Sequence, residues 1–352
     1  MTRSCRIPTT FASPAIVSIA PASGGDLHLH RQLRAAEARQ TLLTFLANNF
    51  SYHSENQWVE QINFGTVTVN GVAGKAEQVL STGDLLAYHA SNFSEPEVPS
   101  YFEPILQTDH LLLVGKPAGT PITRTGLIVR NTFINLLRGH YGDDLHPLHR
   151  LDRETSGILL CARSGDACRK LQNREDSLLT GKYYLALVHG KLPNGTISSE
   201  QPLATRTESP VRCRMWPENT GKPCRTIFHT LAVNETYSLV LAELLTGRRH
   251  QIRAHLAHLG HSVVGDKIYG HEGHYYLKRI TGELTTADYR ELGADNHTLH
   301  AWALRLNLPD RPEQIFFSQL FSEDFRRYLA LFPNWEQSAR DRLAKITGTS
   351  LS

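Results

Sequence analysis

The chain has 352 residues, and its 37 lysines and arginines against 34 aspartates and glutamates give a net charge of +3, which excludes a histone-like polycation. Hydrophobic residues make up 40% of the sequence, enough for a buried core, and the 25 glycines and 17 prolines exclude collagen-like and low-complexity classes. The five cysteines are spread along the chain without a C-x-x-C pair, which indicates a reducing compartment.

The N-terminal segment, residues 1–38, is predicted to be a flexible extension, because its first 25 residues are rich in Ser, Thr, Pro and Gly. Arg3 and Arg6 precede the first acidic residue, Asp26, a pattern that faintly resembles an organellar transit peptide. The longest apolar runs are far shorter than the roughly 18 residues that span a bilayer. We therefore expect a cytoplasmic protein without a membrane span, with organellar targeting as the lesser alternative.

Residues 39–92 are predicted to form a small α+β domain. Apolar residues between 41 and 49 recur at helical spacing, and Trp58 and Ile62 indicate a second helix. Residues 65–71 alternate with period two and end in Asn-Gly, a strong signal for a tight β-hairpin turn.

A linker rich in proline and glutamate, residues 93–104, precedes a larger domain of residues 105–333, and residues 334–352 are predicted to be a C-terminal tail. The larger domain lacks the regular strand–helix alternation of a doubly wound sheet, so we predict a mixed α+β fold. Its strands are expected at 110–115, 157–162, 182–188, 226–231 and 236–245, and its helices at 132–138, 165–174, 249–259 and 322–331.

The densest polar cluster, residues 149–157, leads directly into the apolar strand 158–160. Asp152 lies between Arg150 and Arg153, whose positive charges favour the ionised carboxylate. An oriented carboxylate can act as a nucleophile or stabilise an oxocarbenium-like centre. A structural ion pair explains the same pattern and is the stronger interpretation of this cluster alone.

A second cluster, residues 247–260, carries Arg249 and Arg253 four positions apart on a predicted helix. Two guanidiniums at the start of a helix suit phosphate or carboxylate anions, and a solvated basic face is the competing interpretation. The histidines of this region do not place three on one helical face and form no H-E-x-x-H pattern, so no metal site is predicted there.

Two further features are compatible with a planar, charged ligand. Tyr184 lies on an alternating strand, where it can stack on a ligand, move a proton or simply pack in the core. Residues 203–225 hold five basic and two acidic residues together with Trp216, a combination that suits a phosphate backbone and a stacked base, or an ordinary exposed loop.

In chain order these segments resemble the RluA family of pseudouridine synthases, over roughly residues 105–310. The H-R-L-D-x-x-T-S-G string at 149–157 is highly specific for that family. The other matching motifs are K-P-A-G at 116–119, K-x-Y-x-A at 182–186, G-R-x-H-Q-I-R-x-H-L at 247–256, G-H at 260–261 and G-D-K-x-Y-G at 265–270.

The resemblance implies an α+β fold with a mixed, largely antiparallel central sheet flanked by helices. It also implies isomerisation of specific uridines to pseudouridine in structured ribosomal or transfer RNA, without a metal, a nucleotide cofactor or a membrane. Asp152 is then the catalytic carboxylate, with Arg253 paired to it and Tyr184 beside the base. Arg150 is expected to help hold the target nucleotide flipped out of its stack. The other residues expected to contact the RNA are Arg153, Lys182, Arg248, Arg249, His250, Gln251 and Val263.

Three features depart from the family pattern, and one of them is Leu308-Pro309, where the family usually has His-Pro. Arg249 stands where the family usually has threonine, which affects phosphate contacts rather than the catalytic residues. The small domain resembles the alpha-L RNA-binding fold often attached to this family, yet residues 41–92 hold one lysine, no arginine and four acidic residues, a net charge of −3. Because such a surface weakens phosphate binding, we expect the alpha-L-like fold to have a mainly structural role.

Two other functions compete with the enzyme. A catalytically inactive RNA-binding or assembly factor would have the same fold, although the intact Asp152, Tyr184 and Arg253 argue against it. A metal-dependent nuclease or hydrolase agrees least with the motifs. Nothing in the sequence resembles a coiled coil, and we expect a monomer.

Overall fold

The structure is a computed structural model that describes residues 6–7, 14–22, 24–50, 53–172, 175–308 and 312–351. The chain divides into two compact units. The small unit comprises Ala20–Val98 and Thr123–Leu136, and the large unit comprises Met1–Ile19, Pro99–Ile122 and Leu137–Ser352.

The strands of the described residues, in chain order, are β1 (Arg6–Ile7), β2 (Val17–Ser18), β3 (Gly25–Gln32), β4 (Val67–Val69), β5 (Val72–Ala73), β6 (Leu85–Phe93), β7 (Tyr101–Gln107), β8 (Leu111–Lys116), β9 (His146–Pro147), β10 (Ser156–Ala162), β11 (Leu179–His189), β12 (Thr196–Ser199), β13 (Leu203–Thr205), β14 (Met215–Pro217), β15 (Thr226–Val233), β16 (Tyr237–Leu244), β17 (Leu299–Leu306), β18 (Gln314–Phe317) and β19 (Ser350–Leu351).

The α-helices of the same residues are α1 (Leu42–Asn49), α2 (Glu55–Asn63), α3 (Phe133–Tyr141), α4 (Gly165–Gln172), α5 (Glu175–Leu178), α6 (Gln251–His258), α7 (His274–Thr281), α8 (Thr286–Leu292), α9 (Glu323–Leu329) and α10 (Trp335–Thr347). Two short 3-10 helices cover Ala35–Glu37 and His271–Gly273. None of the helices in the described ranges has the length and apolarity needed to cross a bilayer.

The small unit packs two helices on a four-stranded antiparallel sheet with the order β3-β6-β4-β5. Trp58 and Phe45 are fully buried between α1, α2 and this sheet. Asn70 and Gly71 both have positive φ, 54° and 81°, as a type I′ turn between β4 and β5 requires. The two helices and the hairpin predicted for this region are therefore confirmed.

The large unit is built on an eleven-stranded sheet with the order β12-β15-β16-β11-β17-β10-β8-β7-β2, in which β18 also pairs with β17 and β9 with β10. Within this sheet the pairing of β10 with β17 is parallel and the other pairs are antiparallel. The predicted α+β class with a mixed, largely antiparallel sheet is confirmed. The five strands and four helices predicted for this domain all occur, with ends shifted by a few residues; the last two positions of the helix at 165–174 lie outside the described residues.

Several elements lie where no strand or helix was predicted. Residues 25–32 form β3 of the small sheet, although they were assigned to the N-terminal extension, and Tyr101–Gln107 forms β7 across the predicted end of the linker. The C-terminal tail contains α10, whose Ala339 and Leu343 are buried against the large sheet together with α9. Apolar residues within these segments supply the burial that holds them in place.

Candidate active site

The motif at 149–157 forms the turn that leads into β10, and its last three residues attach the turn to the neighbouring strand. Thr155 Oγ1 and Ser156 Oγ each lie 2.8 Å from a ring nitrogen, of His297 and His300 respectively. Gly157 has a φ of 110°, and a Cβ at this position would overlap the backbone of Ala301 in β17. Only glycine allows β10 to approach β17 this closely, so the T-S-G part of the motif fixes where Asp152 lies.

Lys116, at the end of β8, stabilises the same turn through hydrogen bonds from its amine. Its side chain is fully buried, and its amine donates to the carbonyl oxygens of Pro117, Thr120 and Arg153 at 2.7, 2.8 and 3.0 Å. Burial lowers the pKa of Lys116 to about 7, whereas the negative charge of Asp152 raises it. Three acceptors match the three N–H groups of an ammonium, so this lysine ties three backbone segments together beside Asp152.

Arg253 of α6 is the centre of the site, because it binds two carboxylates at once. Its Nη1 donates to Asp152 Oδ2 at 2.8 Å, while its Nε and Nη2 donate to the two oxygens of Asp266 at 2.6 and 2.7 Å. Asp266 is fully buried and also accepts the backbone N–H groups of Ile268 and Tyr269 at 2.9 and 3.1 Å. This bidentate pair fixes the plane of the guanidinium that holds Asp152.

The pKa of Asp152 reflects this arrangement. Burial raises the pKa, but the positive charges around it, with Arg253 in direct contact, lower it more, so the pKa lies well below its usual range. Arg253 is charged throughout, since the two aspartates raise its pKa against the effect of burial. Asp152 is therefore an ionised carboxylate whose side chain keeps 26% of its surface exposed, which leaves an accessible face for a substrate.

Tyr184 and His250 lie beside this carboxylate. Tyr184, on β11, is buried, and burial together with the charge of Asp152 raises the pKa of its phenol. His250 precedes α6 in a left-handed conformation, with its Nε2 3.7 Å from Asp152 Oδ1 and its Nδ1 3.3 Å from the hydroxyl of Tyr269. Burial lowers the pKa of His250 to about 4 despite the nearby aspartate, so both groups are neutral at pH 7.

Glu154, in the same turn, is the centre of a second cluster of charged residues. Its carboxylate accepts from Arg279 at 2.6 Å and from Lys267 at 3.1 and 3.2 Å, and its Oε2 also accepts the backbone N–H of His297 at 3.3 Å. Burial raises the pKa of Glu154, but the charges of Lys267 and Arg279 lower it to about 2. The cluster links the turn to the segments that carry Asp266 and His297.

Two of the residues predicted to contact RNA, Gln251 and Val263, are buried, and a third, Arg153, is half-buried. Gln251 is 2% exposed, and its amide bonds to Thr246, to the Arg248 backbone N–H, to the Arg225 carbonyl and to Thr226, all at 2.9 or 3.0 Å. Val263 is buried, and Arg153 donates its Nε to the carbonyl of Gly119 at 2.8 Å. Gln251 thus holds together the backbone segments that precede α6.

Four other predicted RNA contacts are more accessible. Arg150, Arg248 and Arg249 are exposed, and Lys182 is half-buried. Arg248 donates to the carbonyl of Pro223 at 3.2 Å and Arg249 to the sulfur of Met215 at 3.4 Å. The guanidinium of Arg150 makes no hydrogen bond or ion pair with any residue that the structure describes.

The basic segment with Trp216 forms a hairpin of β13 and β14 next to α6. The guanidinium carbons of Arg206 and Arg214 lie over the ring of Trp216, 4.4 and 4.2 Å from its centre. The guanidinium carbons of Arg214 and Arg253 also lie 5.4 and 5.2 Å from the ring centre of Tyr269. A series of cation–π contacts therefore connects the hairpin with the site.

Asp266, Glu154 and Tyr269 were not predicted as site residues. All three lie inside motifs read from the sequence, G-D-K-x-Y-G and H-R-L-D-R-E-T-S-G. The sequence contains one clue to Asp266, because a buried charge needs a partner of opposite charge. Arg253 lies beside the apolar face that carries Ile252 and Leu256, and Asp266 is the acid in the next motif.

Comparisons with known proteins identify sequences and structures that are similar to this chain. A family model described as RNA pseudouridylate synthase matches residues 110–258. An uncharacterized RNA pseudouridine synthase of Synechocystis sp. is 30% identical over 234 residues, 66% of this chain and 80% of that protein. The mitochondrial tRNA pseudouridine(32) synthase of Saccharomyces cerevisiae is 28% identical over 234 residues, 66% of this chain and 50% of that protein.

A solved structure of human RNA pseudouridylate synthase domain containing 1 matches with a TM-score of 0.49 and 22% identity, over 68% of this chain and 97% of that one. The chain spans only 35% and 34% of the length of the human and mouse pseudouridylate synthases RPUSD2, with which it is 33% identical over 192 residues.

Proposed function

The chain belongs to the RluA-type family of RNA pseudouridine synthases, and we propose that it isomerises uridine to pseudouridine in RNA with Asp152 as the catalytic carboxylate. The observation that supports this most is the contact of Asp152 with an arginine that is itself locked on Asp266. A carboxylate that is ionised, oriented and partly exposed is what the reaction needs at the sugar.

The reaction conserves atoms. The bond from ribose C1′ to uracil N1 breaks, the base turns, C1′ bonds to C5, and the proton lost from C5 is balanced by one gained at N1. Asp152 serves either by attacking C1′ or by removing the proton at C2′; both routes require the carboxylate in its charged form. The lowered pKa of Asp152 keeps it charged across the physiological range.

Arg253 and Tyr184 complete the proposed catalytic set. Arg253 directs one oxygen of Asp152 and leaves the other free on the side of His250. Tyr184 stays a neutral phenol because burial and Asp152 raise its pKa, so it is suited to pack against the uracil or to donate a hydrogen bond.

The exposed cations are the proposed RNA contacts. Arg150, Arg248 and Arg249 are accessible to phosphates, and Lys182 contributes from its half-buried position. Arg150 lies two residues from Asp152 and is placed to stabilise a nucleotide flipped out of its stack. Arg153, His250, Gln251 and Val263 act from inside, by shaping the turn and the wall of the site.

For the substrate we propose a structured transfer or ribosomal RNA, the first being the class in the name of the yeast relative. We propose that the protein works in the cytoplasm as a monomer that needs no metal or nucleotide cofactor for the isomerisation. A map of pseudouridine across cellular RNA, with and without the gene and complemented by wild type or by Asp152→Ala, identifies the target. Cell fractionation of the tagged full chain tests the cytoplasmic location. Light scattering measures its mass in solution and so tests whether it is a monomer.

The decisive test of the activity is Asp152→Asn. The amide has nearly the shape of the carboxylate but lacks its charge, so we expect isomerisation to vanish while RNA binding largely remains. The measurement is pseudouridine formed in RNA under single-turnover conditions, with Asp166→Asn on the surface of α4 as the control. Wild-type turnover by Asp152→Asn would refute the assignment, and RNA binding without any turnover by the wild type would favour the inactive binding factor.

A further inference from the structure

Three metal-ligating side chains meet on the exposed face of the small sheet. Asp26 and His28 alternate with the inward-facing Leu27 and Leu29 along β3, so both point outward. His89 of β6 lies directly opposite His28 in the antiparallel register. The pattern D-L-H-L-H at 26–30 brings these residues together only once β3 is paired with β6.

The distances among their donor atoms suit a metal ion. One ligand atom from each residue lies within 4.8 Å of the others, and Asp26 Oδ2 is 3.3 Å from His89 Nε2. Bonds of roughly 2.0–2.1 Å in tetrahedral geometry place neighbouring ligand atoms about 3.3 Å apart. The aspartate and one histidine therefore already have the spacing of two zinc ligands, while an ion-pair hydrogen bond is usually closer to roughly 2.8 Å.

The backbone around the three residues orients them. Asn92, in a left-handed conformation, donates its backbone N–H to Asp26 Oδ1 at 3.1 Å, which leaves Oδ2 directed at His89. The imidazoles of His28 and His89 are stacked with centres 4.2 Å apart and planes within 14°, so a small rotation brings a nitrogen of each toward one point. The partial exposure of all three side chains leaves room for a water as the fourth ligand.

We propose that Asp26, His28 and His89 form a binding site for a divalent transition-metal ion of the Zn²⁺ class, which joins β3 to β6. Two imidazole nitrogens and one carboxylate oxygen favour Zn²⁺ over Mg²⁺ or Ca²⁺, because the hard cations take oxygen ligands in larger number. The site belongs to the small unit, whereas the residues of the proposed reaction belong to the large unit, and it goes beyond the isomerisation. It gives the acidic small unit a role in holding the first strand of its sheet.

The test is a calorimetric titration of the full chain, after treatment with chelator and dialysis, with ZnCl₂. One site per chain is expected, with binding roughly tenfold or more weaker in His28→Ala, His89→Ala and Asp26→Asn. His110→Ala, which removes an exposed histidine of the large unit, is the matched control and keeps the site. MgCl₂ at the same concentration gives no heat of binding.

A second measurement separates this site from adventitious binding by the other histidines. Zn²⁺ raises the midpoint of thermal unfolding of wild type and of His110→Ala, and this rise is lost in His28→Ala and His89→Ala. Co²⁺ bound to wild type shows the visible absorption of a tetrahedral site. The proposal would be overturned if wild type did not bind Zn²⁺, or if all variants bound it equally and were stabilised equally. Circular dichroism checks that each variant is folded, as expected because all three side chains are at least partly exposed.

Discussion

At the scale of single residues, Arg253 contacts Asp266 as well as Asp152. Arg253 is 3% exposed, and its guanidinium pairs with the buried carboxylate of Asp266 and with the partly exposed carboxylate of Asp152. Removing one member of a buried ion pair typically costs about 3–5 kcal/mol, because the remaining charge is left uncompensated. Replacing Arg253 would leave the buried Asp266 without its partner and would also remove the partner of Asp152.

Arg253→Leu is therefore expected to abolish isomerisation and to lower the free energy of unfolding by about 3 kcal/mol or more. Urea unfolding and single-turnover assays measure the two effects. Arg253→Lys keeps the charge but not the bidentate contact with Asp266, and should recover stability more than activity. Near-normal turnover by Arg253→Leu would contradict the pairing.

Asp266→Asn tests whether Asp266 acts by positioning Arg253. Asp266 is buried and contacts no solvent, so it cannot touch RNA directly. We expect kcat to fall by roughly 10–100-fold, as for the loss of a supporting ligand, while KM for the RNA changes little. A purely structural role would instead lower the fraction of folded enzyme and leave kcat per folded molecule intact, which active-site titration distinguishes.

The pairing of Asp152 with Arg253 followed from the motifs, since the family resemblance implies it. Asp266 was not foreseen, because the chain must leave α6, turn and return before an acid thirteen residues later can meet the same guanidinium. Such a contact depends on the path of a loop rather than on a period in the sequence. The burial of Gln251 could not be predicted from the sequence for the same reason.

At the scale of elements, the parallel pair of β10 and β17 fixes the turn that holds Asp152. β17 was not predicted, although it lies at the centre of the sheet. Its sequence, L-H-A-W-A-L-R-L, has no clean alternation and includes two alanines, which have low β propensity. Burial on both faces and pairing with three strands override that local preference.

Gly157→Ala is expected to disturb this pair strongly. The new Cβ would meet the backbone of Ala301, and a φ of 110° is unfavourable for alanine. We expect a loss of about 3 kcal/mol or more in the free energy of unfolding, measured in urea. Gly139→Ala on the exposed side of α3 has open space around it and should stabilise the protein by up to about 1 kcal/mol. Equal effects of the two substitutions would show that the close approach is not rigid.

Glu154 links the same turn to its surroundings and makes stability depend on pH. Its pKa falls from an ordinary 4.5 to about 2 in the folded protein, so its contribution is complete above about pH 5 and is lost as the pH falls toward 2. Two and a half pKa units correspond to about 3 kcal/mol.

We expect Glu154→Gln to be less stable than wild type at pH 7 and to approach it in stability near pH 3. Urea unfolding at a series of pH values measures the difference, and Glu60→Gln on the surface of α2 is the control. A difference between wild type and Glu154→Gln that is constant from pH 7 to pH 3 would contradict the role of the charged carboxylate.

At the scale of the whole molecule, charge is divided unevenly between the units. The small unit holds six lysines and arginines against eight aspartates and glutamates, so it is negative, although the chain as a whole carries +3. The positive excess therefore lies in the large unit, which contains the site. The negative charge of residues 41–92 could be predicted from the sequence. The bounds of the small unit could not, because it is assembled from two separate stretches of chain.

Arg150→Ala should weaken RNA binding and reduce its dependence on salt. A lost phosphate contact lowers the slope of log K against log salt by about one. Fluorescence anisotropy with a fixed RNA at several salt concentrations gives the slope, and Arg326→Ala on the exposed side of α9 is the control. An unchanged slope in Arg150→Ala would show that this guanidinium does not contact a phosphate.

The sharing of Arg253 between Asp152 and Asp266 also bears on what happens during turnover. If Asp152 forms a bond to the sugar or takes up a proton, it gives up its negative charge, and Arg253 would then face an empty place. Asp266 stays on the same guanidinium through that step, so Arg253 still has a partner of opposite charge when Asp152 is neutral. In the proposed mechanism Asp152 can therefore lose its charge without leaving the buried Arg253 unpaired.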